Sequence, residues 1–409
     1  MRTKGMIIKM IQAGDTAFIL ICTCVVLFMT PAVAVLYGSL TERRYGPTML
    51  MQTCIAIPVI TIVWSLLGFT LAFGSDVLGG LIGGLDYLFL RNIGSETGAF
   101  APTVSFAIFF VFQATFAIIT SALICGAVVG RMRLLPYMLF ISLWSLLVYS
   151  PVVHWVWGGG ILQQWGYVDF AGGVPVHMIA GFSALAAVKA VGNREMGKEG
   201  PSNLTNVVIA MGILWAGWFC FNGGSSMAAG GTAAVAMVST LLGSSAGAIV
   251  WMMLAYYRND KQVTILDLSF GALAGLVVSS PLAGYVVPWA IILAGAIAGL
   301  ACYYAVLFRI QRNYDDTLDV WALHGVGGLL GAFLLGIFAD PSLAPAAGLL
   351  YGNSQQLTVQ AAGILIAAVY CFIVTYVMVK VINRFSRFRT AGDVPEDFGT
   401  EEDTAVMNG

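Results

Sequence analysis

The sequence has 409 residues, of which 59% are hydrophobic and only 10% are charged, and its formal net charge is -1. Soluble domains carry about 25% charged residues, so this composition is typical of a chain dissolved in lipid. Nucleic-acid binding needs a basic face, and a chain without a surplus of Lys and Arg does not supply one.

Eleven long apolar runs follow one another along the chain. A helix needs about 20 apolar residues to cross the hydrocarbon core, and an unpaired backbone cannot lie in lipid. The runs therefore predict an all-α membrane protein with eleven transmembrane helices, and we assign residues 1–389 to a membrane domain and 390–409 to a cytoplasmic tail. The helices are expected near residues 17–38, 49–73, 101–128, 134–153, 173–192, 204–222, 229–257, 266–281, 287–309, 321–339 and 356–382.

Basic residues follow every second helix, beginning with Arg43 and Arg44 and ending with Lys380 and Arg384. The positive-inside rule places these ends in the cytoplasm, which requires an external N-terminus and an internal C-terminus. Arg2, Lys4 and Lys9 argue the other way, but they are outnumbered. The expected location is the plasma membrane.

The fifth and tenth apolar runs resemble each other. Residues 169–181 read DFAGGVPVHMIAG and residues 319–331 read DVWALHGVGGLLG, each with an Asp, a His and small residues. Because five is an odd number, two five-helix halves must enter the membrane in opposite senses, as in inverted-repeat transporters. This plan predicts a central pore at which His177 and His324 meet, with the eleventh helix outside.

The two histidines are the main polar groups predicted inside the membrane. Intramembrane ionisable residues usually line a pathway or join a buried network, and a structural hydrogen bond between helices is the simpler alternative. Two histidines without a third ligand make an incomplete zinc set, so no metal is expected. Asp169 is interpreted as a helix cap. Asp319, at the matching end of the tenth span, is interpreted in the same way. The neighbouring Asp315 and Asp316 indicate that this end is solvated.

Aromatic residues cluster in HWVWGGG (154–160) and WAGWFCFNGGSS (215–226), both at predicted external surfaces. Such residues are usually interfacial anchors. Ring faces also attract a cation, and a nearby hydroxyl such as that of Ser225 adds an acceptor that only a hydrogen-bond-donating cation exploits.

At these residues the chain resembles the Amt/Mep/Rh ammonium transporters, with matching motifs in order over nearly its whole length. Besides the four segments quoted above, the matching segments are FILICTCVVLFMTPAVAVLYGSL, FQATFAIITSALICGAV and GALAGLVVSSPLAG. The resemblance implies eleven helices, an external N-terminus, a homotrimer with one pore in each subunit, and uptake of ammonium.

The resemblance also implies a role for each of eight residues. Trp157, Ser225 and Phe116 would recruit the ion, and Asp169 would shape that recruitment site without touching the ion. Phe116 and Phe221 would close the pore, which Trp218 and the pair His177 and His324 would line. Desolvation disfavours a cation, so the ion is expected to lose its proton, cross as ammonia and regain a proton inside. Whether that proton follows along the histidines is left open.

Two other functions were considered, an ammonium sensor acting through a cytoplasmic partner and a membrane-embedded enzyme. The sequence lacks the motifs of a Ser or Cys nucleophile or of a metalloprotease, so no enzyme and no cofactor are expected. The tail after Arg389 lacks elements that the family commonly keeps, which weakens the expectation of its usual partner, the PII signalling protein. Pro175, two residues before His177, requires that its helix has only just begun.

Overall fold

The computed structural model describes residues 10–194 and 203–386. These residues contain eleven helices long and apolar enough to cross a membrane. We number them α1 to α11 in chain order: Ala13–Leu40, Arg43–Phe73, Phe106–Ala127, Leu134–Gln164, Gly173–Val191, Leu204–Gly224, Gly231–Arg258, Ile265–Leu282, Pro288–Gln311, Trp321–Phe338 and Ser354–Ser386. The predicted number and order of spans are confirmed, and the chain is an integral membrane protein.

Three predicted boundaries were wrong. The second span starts at Arg43 rather than near 49. The third span starts at Phe106 rather than near 101, because Ala101–Ser105 is a strand, β4, paired with β3 at Thr97–Gly98. Pro102 and β-branched Thr103 and Val104 favour extended backbone there. A second antiparallel pair, β1 (Asp76–Val77) with β2 (Ile82–Gly83), lies in the same connection between α2 and α3.

The fourth span is longer than predicted and is interrupted. A helix at Ser150–Trp157 ends at Gly158, and a short helix, Ile161–Gln164, follows. Gly158 and Gly160 lie so close to His154 that a side chain at either position would collide with it. The His154 ring is fully buried between the Ala72 carbonyl oxygen at 3.0 Å and Asp76 Oδ1 at 3.1 Å. The HWVWGGG motif therefore fastens the β1 and β2 hairpin to the end of α4.

The first ten helices form the two five-helix halves, and the eleventh packs outside them. Helix α1 of the first half packs along α6 of the second, and α5 meets α10 between the halves. Helix α11 packs against α5 and α10. Its Gln360 side chain joins the segment before α5 to α10, donating through Nε2 to Val168 O at 2.9 Å and Ala332 O at 3.0 Å.

Glycines set the closest helix contacts. A side chain at Gly181 on α5 would collide with the backbone of Gly325 on α10, and one at Gly328 would collide with the turn that carries His177. In membranes, such close backbone approach holds helices together by packing, since lipid provides no hydrophobic drive between them. The result brings the two histidine-bearing segments into contact.

Both histidines lie in widened helical turns at the start of their spans. His177 lies in a π-helical turn at Gly173–Met178, and His324 lies in another at Trp321–Gly325. Such turns are rare and frequently mark functional sites. Pro175 stands at the third position of its helix, so the requirement that the helix has just begun is met.

The tail assigned to 390–409 lies outside the described residues, as do Arg2, Lys4 and Lys9.

Candidate transport path

The two predicted histidines meet. His324 Nδ1 lies 3.2 Å from His177 Nδ1, and the ring centroids are 5.3 Å apart with an interplanar angle of 30°. Both side chains are buried, with exposed fractions of 2% for His177 and 3% for His324. Two Nδ1 atoms can share a hydrogen bond only if one carries the proton and the other accepts it, so a neutral pair must hold complementary tautomers.

Ser280 on α8 joins this pair and was not anticipated from the sequence. Its Oγ lies 3.1 Å from His177 Nε2 and accepts a hydrogen bond from Trp218 Nε1 at 3.0 Å. If the serine hydroxyl donates to His177 Nε2, then His177 donates through Nδ1 to His324. The four side chains then form one hydrogen-bonded chain from Trp218 to His324. The only sequence signal was the position of Ser280 inside the GALAGLVVSSPLAG segment.

A narrow, mainly apolar cavity runs past the histidines, and we call it the pore cavity. Its volume is about 20 Å³, which is space for roughly one water molecule. It is lined by His177, His324, Trp218 and Phe221 together with Met29, Val33, Leu36, Tyr37, Ile119, Leu123, Val176, Leu214 and Leu273. A cation entering it would lose most of its hydration and gain few compensating contacts.

Two stacked phenylalanine rings close one end of the pore cavity. The centroids of Phe116 and Phe221 are 4.3 Å apart with an interplanar angle of 28°, and each side chain is 1% exposed. Phe221 lines the pore cavity, whereas Phe116 lines a second, larger cavity. The ring pair therefore stands between the two cavities, where the resemblance placed it.

The larger cavity, which we call the vestibule, has a volume of about 250 Å³. Its lining includes the predicted residues Trp157, Ser225, Phe116 and Asp169. Trp157 is edge-on to Phe116, with ring centroids 6.4 Å apart. Ser225 donates its hydroxyl hydrogen to Phe221 O at 2.8 Å, so its oxygen lone pairs are left to accept.

Asp169 organises the backbone between the vestibule and α5. Its Oδ1 accepts from Gly172 N at 2.7 Å and Gly173 N at 2.9 Å, and its Oδ2 accepts from Val174 N at 2.8 Å. Gly172 takes a left-handed conformation with φ of 106°, which permits this turn. Burial raises the pKa of Asp169 to about 6, although the backbone N–H groups act in the opposite direction. The predicted cap is confirmed, and Trp157 Nε1 donates to Asp169 O at 2.8 Å.

The counterpart of Asp169 in the second half is Asp316, and the alignment with Asp319 was wrong. Asp316 Oδ2 accepts from Trp321 N at 2.8 Å, which caps the first turn of α10. Asp319 instead pairs with Arg309, whose Nε lies 2.8 Å from Asp319 Oδ1. The sequence misled because Asp319, like Asp169, stands a few residues before a histidine within a similar run of small residues.

The prediction that this end is solvated was also wrong. Asp315, Asp316 and Asp319 have exposed fractions of only 6%, 0% and 4%. Asp315 pairs with Arg194 at 2.8 Å and with Arg131 at 3.3 Å. Hydrogen bonding and charge from these arginines hold the pKa of Asp315 at about 2 against the effect of burial, which acts upward. The three carboxylates are therefore buried in ion pairs or in a helix cap and are not exposed to solvent.

The fold and the two cavities, with the histidine pair buried between the halves, are those of a membrane transport protein. The model of the Ammonium Transporter Family matches residues 17–400. The chain is 38% identical to an ammonium transporter of Bacillus subtilis, over 95% of this chain and 96% of the relative. It is 40% identical to an ammonium transporter of Aquifex aeolicus, over 91% and 88%.

A solved structure agrees with these sequence relatives. The crystal structure of Saccharomyces cerevisiae Mep2 superimposes with a TM-score of 0.88 at 31% identity, over 95% of this chain and 90% of that chain. The chain belongs to the ammonium transporter family, which is a family of transporters and not of enzymes.

Proposed function

We propose that this ammonium transporter takes up the ion in the vestibule, that the ion passes its proton to His177 as it crosses the ring pair of Phe116 and Phe221, and that neutral ammonia follows along His177 and His324. The pore cavity is the observation that supports this route most strongly. The cavity has room for only about one water molecule. Among the described residues, its lining includes no acidic residue, lysine or arginine. A low-dielectric channel of this kind disfavours a cation much more than a small neutral molecule.

The vestibule supports recruitment of the ion before its proton is lost. The faces of Trp157 and Phe116 offer cation–π attraction of about 0.5 to 2 kcal/mol each. Ser225 offers an acceptor oxygen, and the Asp169 carboxylate is engaged by three backbone N–H groups. We therefore assign Asp169 to shaping the site and Trp157, Ser225 and Phe116 to contacting the ion.

The released proton has a candidate path of its own. The 3.2 Å contact between the two Nδ1 atoms supports proton transfer along the histidines, and ammonia can exchange hydrogen bonds with each imidazole in turn. Transport coupled in this way would be electrogenic, because the proton carries one charge across the membrane for each ammonia.

Transport in proteoliposomes tests the proposal. A step in external ammonium should evoke a current with no luminal alkalinisation beyond that of empty liposomes, because one proton accompanies each ammonia, and an equal step in potassium should evoke no current. Empty liposomes control for leak of ammonia through lipid. Trp157→Leu should raise the ammonium concentration needed for half-maximal current. No ammonium response above that of empty liposomes would refute the proposal.

Transport is better supported than a sensor role. The Bacillus subtilis and Aquifex aeolicus relatives match over nearly the whole chain, and both are described as transporters. A cytoplasmic signalling partner remains the alternative that the sequence analysis raised, and binding of the PII protein to the full chain would test that regulator directly.

Assembly and orientation are further parts of the proposal. The family resemblance supports a homotrimer, and native mass measurement in mild detergent should give three subunits. The basic loops support an external N-terminus, an internal C-terminus and a place in the plasma membrane. Labelling of single cysteines introduced in the 74–105 connection from outside intact cells would test the orientation.

A further inference from the structure

Gln113 is a glutamine in the wall of the vestibule that has no part in the proposed transport route. It lies in the FQATF segment of α3, one turn before Phe116 and one turn after Phe109. Because residues three and four apart share a helix face, all three line the vestibule. The Gln113 side chain is only 8% exposed.

The amide of Gln113 is poorly satisfied where it stands. Its Oε1 atom is buried and has no hydrogen-bond partner within the described part of the chain. An unsatisfied buried polar atom costs about 1 to 3 kcal/mol, and native structures hold few of them. Oxygen and nitrogen of an amide exchange places by a half-turn about the terminal bond, and no described protein group holds this oxygen where it lies.

The other glutamine of the vestibule differs in this respect. Gln163 Oε1 accepts a hydrogen bond from Gly159 N at 2.8 Å, so its oxygen is engaged by the backbone. In the observed orientation Gln113 Oε1 is turned away from the vestibule, and a half-turn of the amide brings the oxygen to the cavity side without breaking any hydrogen bond of Oε1. Of the two amide oxygens, that of Gln113 is the one left for a ligand.

We infer that Gln113 is a specificity-determining residue of the vestibule, whose amide oxygen accepts a hydrogen bond from the bound ammonium ion. The inference rests on the proposed function and names a further contact of the same site. Ammonium carries four N–H donors in a tetrahedral arrangement. Ser225 Oγ and Gln113 Oε1 would take two donors, and the faces of Trp157 and Phe116 would receive the others.

The neutral amide suits this role better than a carboxylate would. A carboxylate in the same place would attract any small cation by charge alone. An amide oxygen binds most strongly a cation that donates a directed hydrogen bond. Potassium is coordinated by several oxygens at once, and the vestibule offers few. Selectivity for ammonium thus follows from the directed hydrogen bond to a neutral acceptor, and it does not depend on a negative charge in the binding site.

Three substitutions separate these effects. Gln113→Met keeps the length and removes the acceptor, so the ammonium concentration for half-maximal current should rise about tenfold with the maximal current little changed. Gln113→Glu should lower that concentration and make potassium a competitive inhibitor. Gln113→Asn moves the amide oxygen away from the ion by one methylene and should behave like Gln113→Met. This second variant still tests the inference if the methionine variant fails to fold.

Two comparisons keep the result interpretable. Gln164→Met removes an exposed amide next to the vestibule, whose Nε2 donates to Gly159 O, and should match wild type. If Trp157→Leu weakens ammonium affinity while Gln113→Met and Gln113→Asn retain wild-type values, the inference is overturned and the proposed function stands. If wild-type protein gives no ammonium response at all, the proposed function itself has failed.

Discussion

Asp169 and Asp316 occupy equivalent places in the two halves of the molecule. Each stands eight positions before a pore histidine, from 169 to 177 and from 316 to 324. Each also accepts through Oδ2 from the backbone N–H five positions ahead, at 2.8 Å. The inverted repeat therefore extends from helix order to the hydrogen bonds that set the start of α5 and α10.

The equivalence predicts that Asp316→Ala impairs transport as Asp169→Ala does. Loss of the cap should cost about 1 to 2 kcal/mol and loosen the turn that carries His324, so the transport rate should fall at least tenfold. Asp316→Asn keeps one acceptor and should lose less. Initial rates in proteoliposomes at equal protein density provide the measurement.

A matched control is available on α8. Asp267 closes a capping box there, accepting from Thr264 N at 2.8 Å. Asp267→Ala should cost similar stability and leave transport unchanged, because this cap is remote from the pore. A wild-type rate in Asp316→Ala would show that the second carboxylate is dispensable.

Ser225 should decide between ammonium and potassium. Because its hydrogen is donated to Phe221 O, its oxygen can accept a directed hydrogen bond from ammonium, whereas potassium needs several oxygens and gains little from one. Ser225→Ala should therefore weaken ammonium binding about tenfold and leave potassium affinity nearly unchanged. Competition of potassium against ammonium-evoked current measures this. Potassium exclusion and ammonium affinity both at wild-type values would remove Ser225 from the site.

The rate of transport should fall as pH drops through the pKa of Asp169, which burial raises to about 6. Only the ionised carboxylate accepts fully from its three backbone donors, so protonation should loosen the vestibule.

Since this pKa lies above the ordinary value of 3.8, the folded state binds the proton more tightly than the unfolded chain. The contribution of Asp169 to stability therefore decreases as pH rises from about 4 to 6.

The pH profile of the initial rate, taken from pH 5 to 8 with equal pH on both sides, tests this expectation. Asp169→Asn should transport more slowly than wild type and should lack the step near pH 6. A step of the same size and position in Asp169→Asn would assign it to another group.

Sequence patterns were sufficient for the helices and for the meeting of the histidines, because membrane spans and intramembrane polar residues give strong local signals. They were insufficient for Ser280 and Gln113, which are ordinary polar residues until neighbouring helices place them beside the path. The choice of Asp319 over Asp316 failed for a related reason. Both precede His324, and only the backbone turn shows which carboxylate faces the N–H groups.

An acidic residue in place of a histidine should change what the pore admits. His324→Glu puts a potential negative charge in the pore cavity, where it would offset the cost of desolvating a cation. Potassium current should appear in this variant while the thermal unfolding midpoint stays near that of wild type. If His324→Glu carries no more potassium current than the wild type, the electrostatic explanation of selectivity is contradicted.

The double variant His177→Leu/His324→Leu tests the central claim most directly. Leucines keep the cavity apolar and remove every hydrogen bond between the two positions, so the proton path should be lost even if neutral ammonia still passes. The measurement is the current evoked by an ammonium step in proteoliposomes containing wild-type or double-variant protein at equal density, with luminal pH recorded in parallel. We predict no current from the double variant, together with a luminal alkalinisation above the leak of empty liposomes that the wild type lacks, because ammonia then enters without its proton. A current of wild-type size with potassium still excluded would contradict the account and leave the histidine pair as a structural hydrogen bond.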